Sequence, residues 1–259
     1  MKRRVFAAIA ASSGLAIVAG APPAAFARAT PKVSWTVPST ATAGAAIPFK
    51  WSAQHVSRHT HILVQRQEGS ARVWRTVLRL PHRSGGSAEL RALPLGSYKV
   101  RIVASGPGGR HTSSTRHLLV FGRVPFSQLF AGRDDTGDGT MTLNTGTFNY
   151  SIQGVGSTLE TVTRSTCRFV HVDYVAQNSA PSGTVSVSLG QQSIAPVSST
   201  TNLNSIGSLD GAVVPGQSWA LTYTTGGFDI SWYGLWFVAN GYADCYSTSP
   251  APGSDSTGT

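Results

Sequence analysis

Apolar and polar residues alternate in short runs along most of this chain. In the first half Phe49, Trp51 and Ala53 share one face against Lys50 and Ser52, and Ile62 and Val64 alternate with Leu63 and Gln65. Trp74, Thr76, Leu78 and Leu80 oppose Arg75, Val77 and Arg79; Tyr98, Val100, Ile102 and Ala104 oppose Lys99, Arg101 and Val103. A period of two sends successive side chains to opposite sides of a strand, so these runs predict half-buried antiparallel sheets. Gly85-Gly86, Gly96 and Gly106 to Gly109 supply the turns between them. The second half repeats the pattern in Thr147 to Ile152, Arg168 to Val175, Thr184 to Leu189, Trp219 to Tyr223 and Phe228 to Val238. In Arg168 to Val175, Phe169 shares a face with His171 and Asp173, and Val170 with Val172 and Tyr174. No segment of ten or more residues shows helical spacing with caps. The expectation is an all-β protein of two β-sandwich domains: an immunoglobulin-like one over residues 30–123, then a jelly roll over residues 124–246.

Charge divides at the same place. Residues 30–123 carry +12, with Glu68 and Glu89 as their only acids, whereas residues 124–259 carry −6. One domain rarely segregates charge this way along its sequence, which supports two domains with different surfaces. Arg72, Arg75, Arg79, Arg83, Lys99 and Arg101 form a basic stripe if their strands are neighbours. Such a stripe suits an anionic polymer. Nucleic acid is not expected, because exposed aromatics do not alternate with these basic residues.

The ends bear on location. Lys2, Arg3 and Arg4 precede a small, apolar stretch from Val5 to Gly20, and Ala25-Phe26-Ala27 and Ala27-Arg28-Ala29 both fit signal-peptidase sites. Residues 1–29 therefore read as a signal peptide, and the mature chain is expected outside the cytoplasm with no transmembrane segment. The two cysteines, Cys167 and Cys245, are then most simply a disulfide. Arg outnumbers Lys 17 to 4, a composition typical of bacterial exoproteins from high-GC genomes. Residues 247–259 lack any large apolar side chain and read as a disordered tail.

Two resemblances follow from short motifs. Leu93-Pro-Leu-Gly96-Ser-Tyr98 resembles the corner of fibronectin type III and related immunoglobulin-like domains, in which a tyrosine hydroxyl ties a loop to the next strand. In bacterial exoproteins that likeness implies a spacer or adhesion module. Asn149 to Ser157, Cys167 to Asp173 and Asn240 to Cys245 are similar to segments of NPCBM modules, galactose-binding-like jelly rolls attached to glycoside hydrolases. That likeness implies sugar binding by stacked aromatics and hydrogen-bonding Asp, Asn and Arg. On that reading the aromatic run Phe228 to Phe237 and the residues after it offer Trp232, Trp236, Asp229, Asn240 and Tyr242 as ligand contacts, with Tyr242 and Tyr246 on a loop.

Other constellations are sparser. His55, His59 and His61 have a spacing that brings imidazoles together, but no acidic residue adjoins them. Asp134, Thr136 and Asp138 match the start of a calcium loop, although Thr145 replaces its closing glutamate. A structural calcium ion is the one cofactor considered. Nucleophile-elbow, zinc-protease and phosphate-loop motifs are absent. Glu160 with Asp173, or His171 with Asp173 and a serine, would be catalytic only if folding assembled them. The sequence thus predicts a secreted, non-catalytic bacterial protein that binds carbohydrate or an anionic cell-wall polymer. The alternatives are a structural or adhesion protein that binds a protein partner or self-associates, and an unrecognised extracellular hydrolase.

Overall fold

A computed structural model of the chain describes residues 29–129, 136–143, 146–153, 158–162, 165–177, 182–226 and 236–248. The chain is all-β, with one helical turn among the described residues. The first half contains β1 (Lys32–Thr36), β2 (Thr40–Thr42), β3 (Ile47–Gln54), β4 (His61–Glu68), β5 (Arg75–Leu80), β6 (Gly85–Leu90), β7 (Gly96–Gly106), β8 (Gly109–Thr112) and β9 (Arg116–Pro125). The turn α1 (Phe126–Leu129) leads to β10 (Thr136–Leu143), β11 (Gly146–Gln153), β12 (Thr158–Val162), β13 (Cys167–Gln177) and β14 (Thr184–Gln191). The series ends with β15 (Ile194–Asn202), β16 (Gly207–Ala212), β17 (Trp219–Gly226) and β18 (Trp236–Cys245).

In the first half the sheet β1-β3-β6 packs against β5-β4-β7-β9, the two-layer arrangement of an immunoglobulin-like sandwich. Alternation is strict where it matters: β3 buries Ile47, Phe49, Trp51 and Ala53 and exposes every residue between them. Tyr98 is 1% exposed, and its hydroxyl donates to the Pro94 carbonyl at 3.0 Å, tying the loop before β7 to the strand. The second half places β11-β18-β13-β16 in one sheet and β12-β17-β14-β15 in the other, with β10 added beside β11. Eight strands in that order are two interlocked Greek keys, a jelly roll. Trp219, Leu221, Val185, Val187 and Phe237 fill its interior. Burial of each large side chain contributes roughly 1.5–3 kcal/mol. Cys167 and Cys245 stand opposite one another on β13 and β18 and form the expected disulfide.

The two sandwiches share a strand. Arg116 to Val120 of β9 pair with β7, whereas Gly122 to Pro125 pair with β18. One sheet therefore runs on from the first sandwich into the second, and the charge boundary at Arg123 falls inside a strand. Buried side chains form one cluster ending at Val120 and another beginning at Val124. Phe121 lies between them, with the Arg168 guanidinium 4.3 Å above its ring and Tyr246 edge-on at 5.7 Å. Leu95, from a first-half loop, packs against the second cluster.

Candidate functional site

The outward face of the shared sheet carries the densest polar and aromatic chemistry among the described residues. Directly paired residues on adjacent strands present their side chains to the same face. Register therefore sets out three rows across β9, β18, β13 and β16. The first is Arg123–Asp244–Phe169–Ala212, the second Pro125–Tyr242–His171–Asp210, and the third, which begins on β18, Asn240–Asp173–Ser208. Their strand neighbours Val170, Val172, Leu209 and Ala243 are buried, which fixes these rows as the outer face.

Arg168 enters the site through a bulge. Cys167 pairs with Cys245 and Phe169 with Asp244, so one residue on β13 has no opposite number. A bulge re-aims the extra side chain. Here it turns Arg168 outward, and its Nε donates to Asp244 Oδ2 at 2.7 Å. Arg123 lies over the other side of the row, its guanidinium carbon 4.5 Å from the Tyr242 ring centroid. Between this face and the loops of the first sandwich opens a cleft of about 610 Å³. Thr42, Ala43, Leu95 and Gly122 line one side, and Arg123, Arg168, Phe169, Tyr242 and Asp244 the other. Gly122 matters to its shape, because a Cβ there would lie 3.1 Å from that of Ala43.

His171 anchors the second row. Its Nδ1 is 2.7 Å from Asp210 Oδ1 and its Nε2 is 3.3 Å from Asp173 Oδ2. Burial opposes protonation of the ring, but the bond to Asp210 and the charge of Asp173 outweigh it and hold the pKa above the usual imidazole value. Both nitrogens are turned to carboxylates, and neither is directed at a serine hydroxyl. Glu160 lies on β12, in the opposite sheet, while Asp173 points away from that sheet.

Of the ligand contacts read from sequence, Asn240 and Tyr242 fall within these rows, and Tyr242 is on a strand rather than a loop. Tyr246 packs at the joint against Phe121. Trp236 begins β18 opposite Gln177, while Trp232 and Asp229 lie outside the described residues. Asp134 lies outside them too; Thr136 and Asp138 belong to β10, where the pairing with β11 shifts register before Gly139. The sequence reading passed over Arg123, Arg168, Phe169, Asp210 and Asp244 as ligand contacts. Local spacing does not mark them: that Cys167 faces inward and Phe169 outward is set by which strands pair across the bulge.

The basic residues of the first half do not form one stripe. Lys99 and Arg101 share the outer face of β7, and Arg79 lies two strands away on the same face. A bulge at Val77 puts Arg75 on the opposite side of β5 from Arg79. Arg83 lies against Gly86 of the other sheet, and Arg72 is in the turn between β4 and β5. Arg101 sits 3.9 Å over Trp74 and donates to Gln65 at 3.0 Å. A second depression, of about 500 Å³, includes His55 and His59 at the far end of the first sandwich. There Arg58 Nε donates to His59 Nε2 at 3.1 Å, and His61 is turned toward His82. Among the described residues no group of three or more His, Cys, Asp or Glu is placed to hold a metal ion. Neither a family model nor a curated protein matches the chain.

Proposed function

We propose that this is a secreted, non-catalytic protein that binds carbohydrate or an anionic cell-wall polymer. The observation that carries the reading is the cleft at the joint, where two guanidiniums, a carboxylate and two aromatic rings converge on about 610 Å³ of open space. Small-ligand sites typically occupy roughly 300–1,000 Å³ and combine apolar walls with a few convergent polar groups. Sugars ask for that combination: ring faces for their C–H surface, and charged donors and acceptors for their hydroxyls. The outer face of β7 and β5, with Lys99, Arg101 and Arg79 and few acids nearby, favours attachment to a polyanion. Export rests on the signal-peptide pattern of residues 1–29. No helix among the described residues is long and apolar enough to cross a membrane.

The test is retention of the mature chain on purified cell walls and insoluble polysaccharides, at low and high salt. Retention that resists salt and yields to free sugar supports sugar recognition at the cleft. Retention lost in salt, and lost again in a Lys99→Gln/Arg101→Gln variant, supports polyanion attachment through the basic face. No retention on any of these materials rejects the proposal.

A further inference from the structure

We infer that the cleft at the joint selects a hexuronate residue, a sugar carrying a ring carboxylate, with Arg123 as its carboxylate receptor. This rests on the carbohydrate-binding reading above and names the chemistry of the same site.

The two guanidiniums differ in what they have left to offer. Arg168 is engaged twice, by Asp244 at 2.7 Å and by the face of Phe121 at 4.3 Å. Arg123 stacks on Tyr242, and no carboxylate pairs with it among the described residues. A guanidinium lying on a ring keeps its N–H bonds in its own plane, free to form a two-pronged pair with a carboxylate. The cleft wall thus has two cations and one anion, a surplus of one positive charge at Arg123.

Asp244 supplies the second element. Arg168 takes its Oδ2, and no donor reaches its Oδ1 among the described residues. A carboxylate is a pure acceptor with several lone-pair sites, suited to neighbouring hydroxyls. Phe169, directly across from Asp244, supplies the third, an apolar ring in the same row. An anion, hydroxyl donors and an apolar C–H face coincide in a hexuronate. A neutral hexose leaves Arg123 unanswered, and a polyol phosphate has no ring face to set on Phe169.

Calorimetric titration of the mature chain with oligogalacturonate, its methyl ester, and a poly(glycerol phosphate) of similar length tests the inference. The acid should bind, and its neutral ester should bind about tenfold more weakly, as expected for loss of a charge-assisted pair. Arg123→Gln should bring the acid down to the level of the ester, with Arg123→Lys between them. The ester comparison uses the unaltered protein, so the inference stays testable even if a variant folds poorly. Equal binding of acid and ester, tighter binding of the polyol phosphate, or indifference to Arg123→Gln would overturn it. Those outcomes leave the broader reading standing wherever another glycan or wall polymer is retained, whereas failure to bind any of them removes both.

Discussion

His171 and Tyr242 face each other across the β13–β18 pair with ring centroids 5.0 Å apart, and the imidazole meets a carboxylate at each nitrogen. The charged groups around the imidazole are Asp173 on its own strand and Asp210 on β16; Tyr242 covers it from β18, with Arg123 of β9 beyond. A pKa raised in the folded state means that folding tightens proton binding. The stabilisation is complete below the unfolded value of about 6.5 and is lost as pH rises through the higher folded value. Thermal unfolding should therefore shift to lower temperature as pH rises from about 6 to about 8, and His171→Gln should flatten that slope. Both carboxylates are well exposed, so added salt should shrink the effect.

Gly241 is the residue that lets β18 lie close to β13. A Cβ there would sit 2.1 Å from the His171 carbonyl oxygen and 3.0 Å from the Phe126 ring. The nearest atom is backbone and has little room to retreat. Gly241→Ala should destabilise the protein by about 1–3 kcal/mol in urea unfolding. Gly190, where nothing lies within 4 Å, is the matched control, and Gly190→Ala should change stability far less.

Tyr98→Phe removes the buried hydroxyl that donates to the Pro94 carbonyl. The loss should be about 1 kcal/mol, read as a lowered denaturant midpoint with an unchanged slope.

The Cys167–Cys245 bridge closes a segment with a sequence separation of 78. On the chain-entropy account a loop of that length contributes about 4 kcal/mol. Reduction, or paired replacement by alanine, should lower the unfolding temperature clearly. The bridge also lies beside Gly122, the residue that pairs with Cys245 across the joint. Its loss should therefore weaken uronate binding as well, which titration of the reduced protein would show.

The strands were legible because both halves are layered sheets with one wet and one dry face, so Phe49, Trp51 and Ala53 announce their side by spacing alone. The cysteine pair was legible from its number and from the signal-peptide pattern of residues 1–29. Bulges were not. The one at Val77 splits Arg75 from Arg79, and the one at Arg168 brings that residue to Asp244; each depends on which strand lies opposite, which local spacing does not encode. Tyr242 looked like a loop residue because Asn240 and Gly241 precede it. Gly241 instead serves close packing within β18. The cleft was hidden for a related reason: its residues come from β2, β9, β13, β18 and two first-half loops, and only the partner exchange along β9 assembles them.

Because β9 belongs to both sandwiches, the molecule has no tether between its two surfaces. Modules joined by a flexible linker search for a second contact through many orientations, and the gain in avidity falls as the linker lengthens. Here the spacing between the joint cleft and the basic face of β7 is set by backbone pairing. On the proposed reading, a long polyanion caught at one surface would meet the other at an effective concentration governed by its own stiffness. If the proposed polyanion binding holds, the protein would read the persistence and charge spacing of that polymer, and short fragments of it would lose the advantage.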